Sequence, residues 1–436
     1  MSLNKSSTLN FENIGEVHNW LNSIPTFQQV GLHATSFNLQ HISQFCDAMG
    51  GLHRKINTIH VAGTNGKGAT CAILSAVYTQ SGYKTGMFTS PHLVSLHERF
   101  RIDGKKITDE ELLIFFQESK HLLEQYPLTY FEITVAVAFW WFHKNDVDIA
   151  LIETGLGGRL DATNIIIPLV SVITTISLDH TNYLGSSLQA ISKEKAGIIK
   201  QDIPVVTGNL TEEAYSVIEK RAVELDAKIY SATELKPVYN GDSKTCILQI
   251  SGATQAFEMG FRAPVQCHNL AVAWQVIQIL KNNLPVNIEV FRQGLKKAYK
   301  LLPGRFEKLM DDRDWYFDGA HNKQALEALK ETIATIGQPG EAVLIFSLMK
   351  DKINENMSKV FSGFKKNYYY TVESQRAATY DDISQAGIVA ESLPTVDDGL
   401  YDLLNSLKSE LVIFTGSFYF YSTVMEWMVH DHAKNI

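Results

Sequence analysis

The sextet Gly63-Thr64-Asn65-Gly66-Lys67-Gly68 follows an apolar run at 56–62 and leads into Ala69-Thr70-Cys71-Ala72-Ile73-Leu74, which reads as the start of a helix. That order builds a phosphate cradle. Glycines let backbone N–H groups turn inward, a helix N-terminus adds the positive end of its dipole, and the lysine reaches the outer phosphates. A nucleoside triphosphate is the expected ligand; the plain alternative is a tight β-to-α turn with no ligand. The loop departs from the general form G-x-x-x-x-G-K-[ST], because Gly68 stands where a magnesium-ligating hydroxyl is normally found. The hydroxyl must come from elsewhere, and Ser90, in Thr89-Ser90-Pro91-His92-Leu93, is the candidate. Glu153 ends the apolar run 148–152, and a carboxylate at the end of a central strand beside a phosphate loop is a natural magnesium ligand. Three glycines between Glu153 and Arg159 imply a loop that closely approaches something. Asp179-His180 follows another strand-like run and reads as a metal ligand or substrate clamp, where a lone histidine would be structural. Lys193-Glu194-Lys195, taken alone, reads as a solvated helix face. Asp318-Gly319-Ala320-His321-Asn322 again follows a strand, and Arg305 sits at a Pro-Gly break; both could face a cleft shared by two domains.

These residues need a scaffold that gathers strand ends. Short β-like runs at 58–62, 85–88, 149–153, 170–175 and 204–207 alternate with helical patterns at 67–80, 109–124, 132–144, 188–199 and 211–225. Strands spaced by helices predict parallel βαβ units and a doubly wound sheet, whose ligands sit at the strand C-termini. The stretch 236–259 reads as a small antiparallel patch. Helices resume at 269–280 and 288–299, and Pro303-Gly304 places a domain boundary near 298–304. The remainder repeats the rhythm with strands at 316–317, 343–346, 368–372 and 411–414, predicting a smaller Rossmann-like domain.

At 436 residues the chain exceeds one typical core, so two or three domains are expected. A formal net charge of -8 argues against general nucleic-acid binding, yet leaves room for a locally positive cleft. The four cysteines are far apart and form no C-x-x-C pair, which suits a reducing compartment. Residues 1–7 are polar with no signal-type core, and the longest apolar run, 135–142, is too short to span a membrane. A cytoplasmic protein without membrane attachment is expected, and no exposed apolar stripe demands a partner.

Nine ordered motifs carry a family resemblance: GTNGKG at 63–68, TSPHL at 89–93, YFE at 130–132, ETGLGGRLDATN at 153–164, LDHTNYLG at 178–185, KEKAG at 193–197, HNLAVA at 268–273, PGRFE at 303–307 and DGAHN at 318–322. From about residue 50 onward the chain resembles the folylpolyglutamate synthase/dihydrofolate synthase family of the Mur-ligase superfamily of ATP-dependent amide ligases. The resemblance implies a P-loop-containing doubly wound parallel-sheet ATPase domain over 1–298, followed by a smaller Rossmann-like glutamate-ligase domain over 299–436. It implies ATP held by Thr64, Asn65, Gly66 and Lys67, with further contacts from Asn269, Arg305 and Asp318. One magnesium would be ligated by Ser90 and Glu153, and a second by His180. Lys195 matches the lysine carbamylated in the family, a change that turns a cation into a carboxylate-like ligand. His321 would lie near the transferred phosphate or the incoming glutamate, making Lys67, Lys195 and His321 the catalytic set. A pterin would contact Thr129, Tyr130, Phe131, Glu132, Leu160, Asp161 and Ala162. Two positions depart from the pattern: Ala69 replaces a hydroxyl residue common after GTNGKG, and the loop Ser347 to Lys352 fits only loosely.

The implied reaction is amide formation through an acyl phosphate, joining L-glutamate to dihydropteroate and to reduced folates. A carboxylate and a triphosphate repel each other, so cations must gather at the γ-phosphate, and domain closure must exclude water. No covalent nucleophile is required. The alternatives are a ligase restricted to polyglutamylation and, in another class, a nucleotide-dependent binding protein that has lost its chemistry. A P-loop kinase is a poor fit without GK[ST].

Overall fold

A computed structural model describes residues 9–25, 38–260, 263–353, 357–395 and 399–434. The polar start at 1–7 lies outside the described residues. The first sheet is built from β1 (Thr58–Ala62), β2 (Thr85–Phe88), β3 (Phe100–Ile102), β4 (Lys105–Lys106), β5 (Ile149–Glu153), β6 (Val170–Ile173), β7 (Val205–Thr207) and β8 (Ile229–Ser231). Their order is β4-β3-β2-β5-β1-β6-β7-β8. The six strands β2, β5, β1, β6, β7 and β8 run parallel, and β3 and β4 close one edge antiparallel. The central strands are buried along their whole length, as continuous apolar runs in a two-faced parallel sheet must be. β1 lies between β5 and β6, with Val61 paired to Glu153 and Ala62 to Ile173. The chain therefore leaves β1, β5 and β6 into one crevice, which is where Gly63, Glu153 and Thr174 meet.

Both faces are covered. The helix Lys67–Gln80 is buried almost throughout because helices Gln266–Leu280 and Ile288–Ala298 pack over it. On the other face, helices Asp109–Gln125 and Tyr130–Lys144 interlock through aromatic edges such as Phe115 against Trp140, with centroids 5.5 Å apart. The expected antiparallel patch exists as β9 (Val238–Asn240), β10 (Thr245–Ile250) and β11 (Ala253–Glu258).

The C-terminal sheet contains β12 (Glu307–Lys308), β13 (Trp315–Asp318), β14 (Val343–Phe346), β15 (Lys366–Tyr369), β16 (Glu391–Ser392) and β17 (Val412–Thr415), in the order β12-β13-β17-β14-β15-β16. Only β12 is antiparallel. The fold is thus the expected α/β architecture with a second, smaller parallel-sheet domain.

Some boundaries differ from expectation. β15 spans Lys366–Tyr369, earlier than the expected 368–372; Tyr370 N still donates to Phe346 O, and the chain leaves the ladder after it. The helix expected to reach 199 ends at Ala196, with Gly197 as its cap. The β3–β4 hairpin and the helices Ile14–Ser23 and Gln40–Ala48 were not expected. Their patterns are short: the two helices are held by packing against Asp109–Gln125 and Tyr130–Lys144, and the hairpin by pairing of β3 with β2.

Candidate active site

The strand ends of both sheets open onto one cleft of about 810 Å³. The phosphate-type loop is pinned against the end of β6. Thr64 N donates to Thr175 O at 2.7 Å, Asn65 N to Thr175 Oγ1 at 3.0 Å, and Thr174 Oγ1 to Asn65 O at 2.6 Å. Lys67 opens the helix that follows. Its Nζ folds back onto Gly63 O (3.1 Å) and Thr64 O (3.3 Å) and lies 4.0 Å from Glu153 Oε1. Asn269, on the buried helix Gln266–Leu280, sets its amide against Gly66 and donates through Nδ2 to Gln266 Oε1 at 2.7 Å.

Glu153 is buried at the end of β5, a central strand rather than a sheet edge. Burial pushes its carboxyl up, while Lys67, the Ser90 N–H, Arg305 and Arg99 oppose that shift. Ser90 reaches Glu153 through its backbone, N to Oε2 at 3.1 Å. A buried carboxylate and a serine at the ends of the adjoining strands β5 and β2 are hard-oxygen donors, and a divalent cation would relieve the cost of burying the charge. These two residues fit magnesium.

The loop 155–164 and the helix Leu188–Ala196 are locked together. Arg159 donates through Nε (3.1 Å) and Nη2 (2.8 Å) to Glu194 Oε1. A Cβ at Gly158 would stand 2.8 Å from Glu194 O and 3.1 Å from Lys195 Cα, so this helix is what the glycine-rich loop approaches. The consequence corrects the solvated-face reading of 193–195 at Lys195: Lys193 is exposed, but Lys195 is 3% exposed, with Nζ donating to Gly63 O at 2.8 Å. Burial first, then the nearby Lys67 ammonium, pushes its amine down to about 7.

The second domain meets the first around Asp179. Lys352 Nζ makes a very short contact to Asp179 Oδ1 and lies 3.3 Å from His180 Nε2. Asn322 Nδ2 donates to Asp179 Oδ2 (3.0 Å), and His321 Nε2 lies 3.8 Å from the same oxygen. Burial alone would raise the Asp179 carboxyl, but Lys352, His180 and His321 hold it well below the usual range. Burial, with Lys352 beside it, lowers His180 to about 3, and His321 falls to about 4 for the same two causes. Asn65 also bridges the domains, donating through Nδ2 to Gln324 Oε1 at 2.8 Å. As they stand, Lys195 and His180 do not fit a second cation, because ammonium groups occupy the space that donors would need. Carbamylation of Lys195 would reverse that charge.

Asp318 ends β13 and accepts from Phe306 N (2.9 Å) and Ala320 N (2.9 Å), bracing the turn that carries Arg305. The Arg305 guanidinium lies 4.3 Å from the Phe418 ring centroid, and Asp318 and Glu153 attract it. The geometry gives Asp318 a bracing role in addition to any contact with nucleotide.

The expected pterin residues also line the cleft, several with structural duties. Thr129 caps the helix Tyr130–Lys144, and Glu132 Oε2 accepts from Thr129 N and Oγ1, both at 2.8 Å. Asp161 Oδ2 accepts from Gly155 N and Leu156 N, both at 2.8 Å, while Oδ1 holds Thr163, to which the buried His60 is bonded at 2.8 Å. Phe131 packs over Gly155, Arg99 lies 6.0 Å from the Tyr130 ring centroid, and Leu160 and Ala162 lie on the cleft wall. Sequence reasoning gave no role to Lys352, Asn322, Arg99 or His60. Lys352 and Asn322 stood inside quoted segments, but nothing local signals a partner more than 140 residues away.

The chain matches the Mur ligase middle domain family over residues 61–276 and the Mur ligase glutamate ligase domain over 304–418. It is 34% identical to the dihydrofolate synthase/folylpolyglutamate synthase of Bacillus subtilis, over 88% of this chain and 94% of that protein. Among solved structures, Mycobacterium tuberculosis folylpolyglutamate synthase complexed with ADP and AMPPCP superposes with a TM-score of 0.83 at 27% identity, covering 95% of this chain and 98% of that one. A bifunctional folylpolyglutamate synthase/dihydrofolate synthase with Mn, AMPPNP and L-glutamate bound gives 0.84 at 28% identity, covering 97% and 100%. With its cleft built from a phosphate loop, a buried acid and a second-domain Arg–His pair, this chain belongs to the dihydrofolate synthase/folylpolyglutamate synthase family of Mur ligases.

Proposed function

We propose that this protein is an ATP- and magnesium-dependent amide ligase that joins L-glutamate to dihydropteroate, giving dihydrofolate, and to the glutamate tail of reduced folates. The observation that carries this reading is the meeting of Lys67 and Glu153 from the first domain with Arg305 and His321 from the second in one cleft. The B. subtilis relative carries both activities in its name, which favours the bifunctional reading over polyglutamylation alone.

In this reading residues 1–298 bind ATP and residues 299–436 receive the amine. The N–H groups of Thr64 to Lys67 and the Lys67 ammonium hold the phosphates, with Asn269, Arg305 and Asp318 completing the nucleotide site. Ser90 and Glu153 would hold magnesium, which supplies charge neutralisation at the outer phosphates. Lys67 and Arg305 add positive charge where the substrate carboxylate must approach the γ-phosphate. The carboxylate oxygen attacks phosphorus, ADP leaves, and an acyl phosphate forms. The glutamate amine then attacks the acyl carbon and phosphate leaves. His321, held through Nδ1 to Gly319 O at 2.7 Å, lines the cleft, where it lies near the transferred phosphate or the incoming glutamate. Lys195 as a carbamate and His180 are assigned to a second metal. The pterin lies along 129–132 and 160–162. The protein is assigned to the cytoplasm as a monomer acting on small molecules, without nucleic acid or membrane. The net charge of -8 and the four buried free cysteines agree with this, and among the described residues no helix is long and apolar enough to cross a membrane.

Phosphate release with purified protein, ATP, magnesium and L-glutamate tests the reading, with dihydropteroate or tetrahydrofolate as acceptor. Release with both is expected. Release with tetrahydrofolate alone leaves only polyglutamylation, and release with neither leaves a nucleotide-binding protein.

A further inference from the structure

Away from the cleft, three side chains from three elements converge. His18 comes from the helix Ile14–Ser23, His97 from the turn Leu96–Arg99, and Asp109 from the first position of the helix Asp109–Gln125. One nitrogen from each histidine and one Asp109 oxygen lie within 4.8 Å of one another. His97 Nε2 is 2.9 Å from Asp109 Oδ1, and its other nitrogen, Nδ1, is 2.7 Å from Ser95 Oγ. The two imidazole rings stand 6.2 Å apart at 72°. His18 Nε2 is buried and has no hydrogen-bond partner among the described residues.

Two features make this more than a surface pair. With Ser95 Oγ against Nδ1, His97 Nε2 faces the Asp109 oxygen at 2.9 Å, a position that holds a proton in the metal-free protein and a divalent cation once that proton moves to Nδ1. A hydroxyl on the far nitrogen is also the outer contact that fixes the tautomer of a metal-bound histidine. His18 then supplies a third donor that is otherwise left unsatisfied at a cost. Tetrahedral bonds of about 2.0–2.1 Å set ligand atoms about 3.3 Å apart, so donor atoms that now lie within 4.8 Å of one another close by up to about 1.5 Å on binding. Two imidazoles and a carboxylate with an open fourth position suit a borderline cation of the zinc class and not magnesium.

We propose that His18, His97 and Asp109 form a three-ligand zinc-class cation site, its fourth position open to water, distinct from the magnesium donors Ser90 and Glu153. It would fasten the N-terminal helix to the turn Leu96–Arg99. That turn continues into the wall of the cleft, since Arg99 Nε donates to His92 Nδ1 at 2.9 Å. Zn²⁺ takes the Nε2 lone pair of His97 with the ring proton on Nδ1, facing Ser95 Oγ, so neutral imidazoles and the Asp109 carboxylate bind it without net proton release.

The test uses full-length protein freed of metal by chelation and kept in saturating magnesium, with Zn²⁺ titrated by calorimetry and Co²⁺ as a spectroscopic probe. One Zn²⁺ site is expected that raises the thermal midpoint, with tetrahedral Co²⁺ bands. His18→Ala and His97→Ala should each weaken it by at least about tenfold and abolish the bands. His18→Ala removes a side chain with no hydrogen bond at Nε2, so its metal-free midpoint should match wild type and keep the comparison valid. Zinc binding of equal affinity and stoichiometry in both variants would overturn the proposal, as would no zinc-dependent rise in the wild-type midpoint.

Discussion

Gly66→Ala offers a quantitative test of the nucleotide loop, with Gly82→Ala as its internal control. Both glycines are left-handed, with φ +85° and +89°. An L-residue there costs about 1–2 kcal/mol of backbone strain at either site. Their surroundings differ. A Cβ at Gly82 meets nothing within 4 Å, whereas at Gly66 it would stand 2.3 Å from Asn269 Oδ1. Asn269 is buried and tied to Gln266, so its amide cannot swing away without weakening that hydrogen bond, a loss of about 0.5–1.5 kcal/mol. The further cost at Gly66 is borne by the loop and by the side chain assigned to ATP. At 1.4 kcal/mol per decade it should raise the KM for ATP by on the order of tenfold, while Gly82→Ala changes stability alone. Steady-state phosphate release with varied ATP measures the first effect, and thermal melts of both variants measure the second. If Gly66→Ala keeps a KM within about twofold of wild type, or Gly82→Ala loses affinity equally, the contact between Asn269 and the loop does not shape the nucleotide site.

Lys67→Ala removes the ammonium nearest the outer phosphates, and phosphate release should fall at least about 100-fold; near-normal turnover would remove Lys67 from the mechanism. Lys352→Ala strips Asp179 of its closest cation. Breaking a buried pair costs about 3–5 kcal/mol, and the remaining donors Asn322 and His180 N should hold the loss near the lower end; urea unfolding would show it, and Lys352→Ala/Asp179→Asn should recover part of it. Lys195 gives a pH dependence. In the folded state its amine sits at about 7, against an ordinary 10.5, so between those values the unfolded chain binds the extra proton and stability rises with pH. Below about 7 both states are protonated and the penalty is constant. In bicarbonate-free buffer wild type should therefore gain on the order of 1 kcal/mol per pH unit relative to Lys195→Met, seen as a shift in unfolding midpoint between pH 7.5 and 9, while equal slopes would show that the amine is not charged at a cost. Restoring bicarbonate should raise magnesium-dependent activity in wild type only.

Local chemistry made a large part of this protein legible from residues alone. The strands β1, β2 and β5 and the helix Lys67–Gln80 fall where their apolar runs and glycine punctuation put them, because a strand buried on both faces and a phosphate turn each have a signature within ten residues. The positions of Glu153 and Ser90 followed from the same rule, that polar residues at parallel-strand ends face a crevice. What the sequence could not decide was which distant groups meet. Lys195 looks like a surface lysine until the loop 155–164 is laid over its helix, and that burial, with the Lys67 ammonium nearby, drives its amine toward neutrality. Asp179 finds Lys352 across 173 residues, and Asn65 finds Asn322 and Gln324 across more than 250, because domain docking and not local pattern sets those distances. Spacing along the chain fixes which backbone forms; the electrostatics of the cleft depend on burial and on charges that only the folded chain brings within a few ångströms.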